Sequence, residues 1–184
     1  TNEAYAIAKI AGIKMCENFN KQYNTDFRAV MPTNLYGPND NYDISNSHVL
    51  AALIKKILFA KKNNKKIVKI WGNGRPKREF LYVDDFTQAC FKIMSISKKK
   101  YKKICGSDNQ FINIGSSEEI SIKDLALLIS DIINYKVQFK YDKKKPIGTL
   151  RKLIDSSKIH QLNWQPKISI RSGIKLVIDE LISN

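Results

Sequence analysis

Apolar residues return at three- and four-residue steps near the start of the chain. Ala4, Ile7, Ala8, Ala11, Met15 and Phe19 trace one face and predict a helix over residues 3–23. The short apolar run Phe27–Met31 predicts a buried strand that stops at Pro32. Residues 33–46 carry Asn34, Gly37, Pro38, Asn39, Asp40, Asn41 and Asp43, the composition of a turn-rich connection. Ser47 can cap a second helix running from about His48 to Lys62. Ile67–Trp71 and Arg78–Val83 read as extended pieces on either side of a Gly72-Asn73-Gly74 turn, and Asp84 or Asp85 can open a helix to about Ser97. Beyond it the pattern predicts a strand at Phe111–Ile114, then a helix capped by Ser121 over Ile122–Ile133. A strand at Val137–Tyr141 and an extended piece at Lys152–Ile154 follow. A short helix at Ser156–Leu162 and an amphipathic one at Ile170–Ile182 complete the chain. Strands alternate with helices, so the expected class is α/β.

Composition narrows the picture. The 184 residues are 43% hydrophobic and 27% charged, as in an ordinary folded domain. No apolar run approaches the ~18 residues of a membrane span, and no membrane association is expected. Thr1-Asn2-Glu3 has neither a basic nor an apolar leader, so no signal peptide is expected, and a start without methionine reads as the middle of a longer protein. Cys16, Cys90 and Cys105 are far apart and odd in number, which suits a reducing, cytoplasmic setting. With two histidines and no CxxC, no metal site is expected. The net charge of +15 comes largely from runs such as Lys98-Lys99-Lys100 and Lys143-Lys144-Lys145. These fall between periodic segments, where solvated loops are expected, and no nucleic-acid motif with interleaved aromatics accompanies them. No G-x-G-x-x-G turn of a dinucleotide fold occurs.

Four segments carry candidate chemistry. In Tyr5-Ala6-Ile7-Ala8-Lys9 the first and last residues share a helix face, and an ammonium beside a phenol favours the phenolate. Such a pair can hand a proton to a carbonyl oxygen, although many helices carry the same spacing with the Tyr packed and the Lys solvated. Met31-Pro32-Thr33-Asn34-Leu35-Tyr36-Gly37-Pro38 follows a predicted strand, where an open α/β sheet holds ligands, or it is a plain connecting turn. In Arg78-Glu79-Phe80-Leu81-Tyr82-Val83-Asp84-Asp85 the arginine suits bidentate phosphate contacts, or it is a surface residue. Leu162-Asn163-Trp164-Gln165-Pro166 reads as structural, with Trp164 in the core.

In this order the segments resemble the extended short-chain dehydrogenase/reductases. That superfamily has a Tyr–Lys pair, an Asn-x-Tyr-Gly-Pro turn, an Arg-(Glu/Asp)-Phe-x-x-Val-Asp-Asp segment and a Leu-Gly-Trp-x-Pro segment. Asn2-Glu3 before the Tyr5–Gly12 segment, Asn46-Ser47-His48-Val49, and Gly148-Thr149-Leu150-Arg151-Lys152-Leu153-Ile154-Asp155 narrow the resemblance to the GDP-L-fucose synthase family. It implies the C-terminal part of an NAD(P)-binding Rossmann-like fold plus a smaller α/β substrate-binding domain, with the N-terminal Gly-rich βαβ unit missing. Residues 1–40 would close the cofactor domain, and residues 41–184 would form mainly the substrate domain, with residues 78–97 returning to the cofactor domain. The implied reaction is NADPH-dependent epimerisation and reduction of GDP-4-keto-6-deoxy-D-mannose to GDP-L-fucose. A homodimer acting on this nucleotide sugar, with no nucleic-acid partner, is also implied.

By the same resemblance Tyr5 donates a proton to the C4 oxygen, Lys9 supports it and holds the nicotinamide ribose, and His48 is the epimerisation acid. An imidazole titrates near neutral pH, which suits that task. Pro32, Thr33, Asn34 and Leu35, with Lys9 and His48, match cofactor contacts. Lys56, Trp71, Arg78 and Lys152 match substrate contacts. The chain departs from the family with Lys55 and Lys56 in place of arginines, Gln138 at a usually basic position, Ile147 for an acid, Leu150 for a proline and Asn163 for a glycine. Two other readings stand beside this one. The first is a nucleotide-sugar 4-epimerase or dehydratase of the same superfamily with tightly held NAD. The second is a non-enzymatic basic binding module or remnant.

Overall fold

The computed structural model describes residues 2–43, 47–106, 110–145 and 147–183, so Asn46 of the Asn-Ser-His-Val segment lies outside them. The first half of the chain runs α1 (Glu3–Tyr23), β1 (Ala29–Pro32), β2 (Asn34–Tyr36), α2 (Val49–Lys62), β3 (Ile67–Trp71), β4 (Lys77–Tyr82) and α3 (Val83–Ser95). The second runs α4 (Lys98–Cys105), β5 (Phe111–Ile114), β6 (Glu119–Ser121), α5 (Ile122–Ile132), β7 (Gln138–Asp142), β8 (Arg151–Lys152), α6 (Ser157–His160) and α7 (Ile170–Ser183).

The class is α/β, and most strand pairs are parallel. β1 lies beside β5, β2 and β8 lie beside β4, and β3 lies beside β7, while among the described residues β6 alone runs antiparallel, against β4. β4 is the pivot. Its side chains alternate between two hydrophobic clusters, as a pleated strand requires. Phe80 and Tyr82 join Leu53, Ile54, Ile57, Ile70, Leu125 and Ile174 between α2, β3, α5 and α7. Leu81 faces the other way, into Ile93, Tyr101, Ile112, Ile114, Ile159 and Trp164. Trp164 is a core residue, as its segment suggests.

The structure corrects several local expectations. α1 forms over the predicted span and ends at Asn24 in a left-handed conformation, φ 54°, which Asn tolerates. The apolar stripe that predicts α1 nonetheless stays exposed, and its buried residues are Glu17 and Asn20. Asn20 holds the return of the chain toward β1: its Nδ2 donates to Phe27 O at 2.7 Å and its Oδ1 accepts from Phe27 N at 2.8 Å. β2 forms inside the predicted turn because β4 offers it a parallel partner in the register Asn34↔Phe80. α4 replaces a predicted lysine loop. Ser97 accepts from Lys100 N at its start, and Tyr101 and Cys105, one turn apart, bury the face opposite the lysines. α2 is entered from His48 rather than Ser47. Asp85 does not cap α3; it is buried and accepts from Lys167 N at 3.1 Å and Ile168 N at 2.9 Å.

Candidate functional site

Four residues that the sequence places 30 positions apart line one cavity of about 310 Å³: His48, Lys56, Trp71 and Arg78. α2 supplies the first two. His48 sits at its mouth in an extended conformation, its carbonyl accepting from Ala52 N at 2.9 Å, and its side chain is exposed. Lys56 follows two turns later on the same helix face. It is half-buried, and desolvation lowers its pKa from the ordinary lysine value. Trp71 ends β3, where the alternation that buries Val68 and Ile70 turns it outward, 51% exposed. That exposure separates it from a core tryptophan, and Lys56 Nζ lies 5.6 Å from its ring centroid.

Arg78 enters from β4. Its Nη1 donates to Lys77 O and Thr149 O, both at 2.7 Å, so the segment before β8 holds the guanidinium. Burial lowers its pKa. Gly148, at φ +74°, fits against this side chain: a Cβ there would stand 3.2 Å from Arg78 Nη2. Lys152 pairs in register with Arg78 and is exposed. Neighbouring Arg151 is neutralised by Glu119, which also takes Lys77, and these two donors hold the Glu119 carboxyl below the usual carboxylate range. Among the described residues no carboxylate pairs with Lys56, Arg78 or Lys152, and none lines the cavity. Uncompensated cations at a partly desolvated wall attract an anion.

The remaining expected residues stand elsewhere. Tyr5 and Lys9 lie on the first turns of α1, with Lys9 Nζ 5.3 Å from the Tyr5 ring centroid, and both are exposed. They do not line this cavity. Pro32 ends β1, Thr33 links the strands, and Asn34 and Leu35 open β2, with Pro32 and Asn34 exposed. Ile147 is part of the cavity wall, whereas Gln138 opens β7 at the end opposite Trp71 and is not.

One residue was missed by the sequence reading. Glu79 is fully buried, and its carboxylate accepts from Ser117 N at 2.7 Å and Ile154 N at 3.2 Å. Its carbonyl accepts from Asn34 Nδ2 at 2.7 Å and Thr33 Oγ1 at 3.2 Å. Glu79 thus ties the turn after β1 to the strand that carries Arg78. Strand parity could have flagged it, because Arg78 facing a site turns Glu79 inward.

This arrangement defines an α/β protein with a cationic, aromatic-walled cavity between the carboxyl end of β3, the start of β4 and α2. Residues 1–115 match the NAD dependent epimerase/dehydratase family, and the chain belongs to that family. It is 44% identical over all 184 residues to the GDP-L-fucose synthase of Escherichia coli, covering 57% of that protein. Among solved structures, the NADP-bound GDP-L-fucose synthetase of Naegleria fowleri superposes with a TM-score of 0.86 at 28% identity, over 100% of this chain and 57% of that one. The NADP-bound GDP-mannoheptose C4 reductase of Campylobacter jejuni superposes with a TM-score of 0.84 at 32% identity, over 98% of this chain and 60% of that one. The chain spans a little over half the length of the curated relatives it matches. No helix among the described residues is long and apolar enough to cross a membrane, and no group of three or more His, Cys, Asp or Glu residues there could hold a metal ion.

Proposed function

We propose that the protein containing this chain converts GDP-4-keto-6-deoxy-D-mannose to GDP-L-fucose by epimerisation at C3 and C5 and reduction at C4, with NADPH as cofactor. The observation that carries this reading is the meeting of His48, Lys56, Trp71 and Arg78 around a cavity with no acid among the described residues of its wall. That wall suits a diphosphate joined to flat and sugar moieties. Arg78, Lys56 and Lys152 take the diphosphate, and Trp71 packs on the sugar nucleotide. Carbons beside a ketone are acidic. A base of the full-length protein takes the proton from C3 or C5, and the enolate regains one on its opposite face from His48 at the cavity mouth, which inverts the centre. Tyr5 then gives its proton to the C4 oxygen while Lys9 stands beside the phenol and holds a ribose hydroxyl of the cofactor. Bound NADPH supplies the hydride.

The junction of β1 and β2 at Pro32, Thr33, Asn34 and Leu35 suits the cofactor, because it stands at the carboxyl end of β1 and its Asn34 and Thr33 side chains are already fixed on Glu79. The same reading divides the chain into a cofactor-domain end at residues 1–40 and a substrate domain at residues 41–184, with residues 78–97 returning to the cofactor side. The packing of Leu81, Ala89 and Ile93 against Ile112 and Ile114 beside Val30 supports that return. The uncovered apolar stripe of α1 supports a homodimer, and three free cysteines support a cytoplasmic setting.

The test is to supply the full-length protein with the keto-sugar and NADPH, and to follow NADPH oxidation and the sugar product. Formation of GDP-L-fucose supports the reading; a folded protein that makes none and consumes no NADPH overturns it.

A further inference from the structure

The turn after β7 brings an additional cation to this site. β3 and β7 run parallel with Trp71 opposite Asp142, so the residues leaving β7 begin their turn beside the indole. Asp142 shapes that turn: its carbonyl accepts from Lys145 N at 3.2 Å and from Gly72 N at 2.9 Å, and its Oδ1 accepts from Lys144 N at 3.1 Å. Lys145 Nζ is thereby placed 5.2 Å from the Trp71 ring centroid. Lys56 Nζ, from α2, lies 5.6 Å from the same centroid. Two ammonium groups from separate elements share one exposed ring, and among the described residues no carboxylate pairs with either. Like charges so placed repel each other, and an aromatic face compensates a cation less well than an anion does. Ile147, two residues further on, is part of the cavity wall, so Lys145 stands close in sequence to the cavity as well as beside its Trp71.

We propose that Lys145 is an anion-binding residue of this site, which with Lys56 brackets Trp71 and moves from the indole to the diphosphate of a bound nucleoside-diphosphate sugar. The ring so vacated becomes the stacking surface for the flat part of the ligand. The inference rests on the cavity being the nucleotide-sugar site proposed above, and it adds a specificity determinant: recognition of the diphosphate charge by a side chain from the β7 turn.

The test uses the full-length protein, with GDP and the uncharged nucleoside guanosine as probes and calorimetric titration as the readout. Lys145→Gln should weaken GDP binding about tenfold, the scale of one lost charge-assisted contact. Guanosine binding should be unchanged, and Lys145→Arg should recover most of the GDP affinity. The GDP affinity of Lys145→Gln should also fall less steeply with salt than that of the unsubstituted protein. Equal GDP affinity in Lys145→Gln and the unsubstituted protein overturns the role of Lys145 while leaving the site reading in place. An equal loss for GDP and guanosine also overturns it, since it marks a displaced loop rather than a lost charge. Failure of the unsubstituted protein to bind GDP overturns the site reading and the bracket together.

Discussion

At the scale of single residues, side chains of similar chemistry divide by where their strands and helices put them. Trp71 and Trp164 are both aromatic neighbours of basic segments, yet one is 51% exposed at a cavity and the other 7% exposed in a core. Tyr5 and Tyr36 divide in the same way. Tyr36 is buried, and desolvation raises its pKa, while Tyr5 stands exposed beside Lys9. In the full-length protein Tyr5→Phe should lower kcat for NADPH oxidation by about 10²–10⁴-fold, the usual share of a positioned acid. His48→Gln should slow solvent-deuterium uptake at C3 and C5 by a comparable factor, read by mass spectrometry of the product. Glu79→Gln keeps the shape but sets an amide N–H₂ group among N–H donors. It should cost about 1–3 kcal/mol of stability, read from the denaturant midpoint, as for any buried group left unsatisfied.

At the scale of elements, periodicity marks a helix or strand reliably where one face is apolar and solvent covers the other. α5 is legible down to its cap: Ser121 Oγ accepts from Asp124 N at 3.0 Å, as the Ser before an apolar run predicts. Ser121→Ala should cost about 1 kcal/mol, checked by thermal unfolding. β2 and β6 are not legible, because each is three residues long and exists only through pairing with β4. α4 hides in its lysines; the signal was Tyr101 and Cys105 at helical spacing behind Ser97. Of the site, the motif residues are legible one by one. Their convergence is not, since it depends on the register of β3 with β7 and of β4 with β8, and Lys145 reaches Trp71 only through that register. The β4–β6–β8 junction should also respond to pH. A carboxyl whose folded-state pKa lies below its unfolded value stabilises the fold above the unfolded value and loses that contribution as pH falls through the folded one. For Glu119 the ordinary value is 4.5, so its contribution is present above that pH and fades below it. Acid unfolding of Glu119→Gln should begin from a less stable protein and show a shallower pH dependence in that range.

At the scale of the molecule, burial is uneven. α1 buries only Glu17 and Asn20, whereas α2 buries Leu50, Ala51, Leu53, Ile54, Ile57 and Ala60. In a preparation of these 184 residues alone, backbone amides of α1 should exchange with deuterium well before those of α2 and α5. Equal protection would show that the stripe along α1 finds a cover. β4 has a further consequence, for which length changes a lineage can accept. Arg78 and Glu79 are consecutive, one turned to the cavity and the other sealed inside. With Phe80 held in its cluster, adding a single residue between Glu79 and Phe80 would reverse that parity, turning a carboxylate toward the cavity and a guanidinium toward the core. Drift in chain length can accumulate in solvated connections that bear no such parity. The strand from Lys77 to Phe80 has to be inherited at constant length.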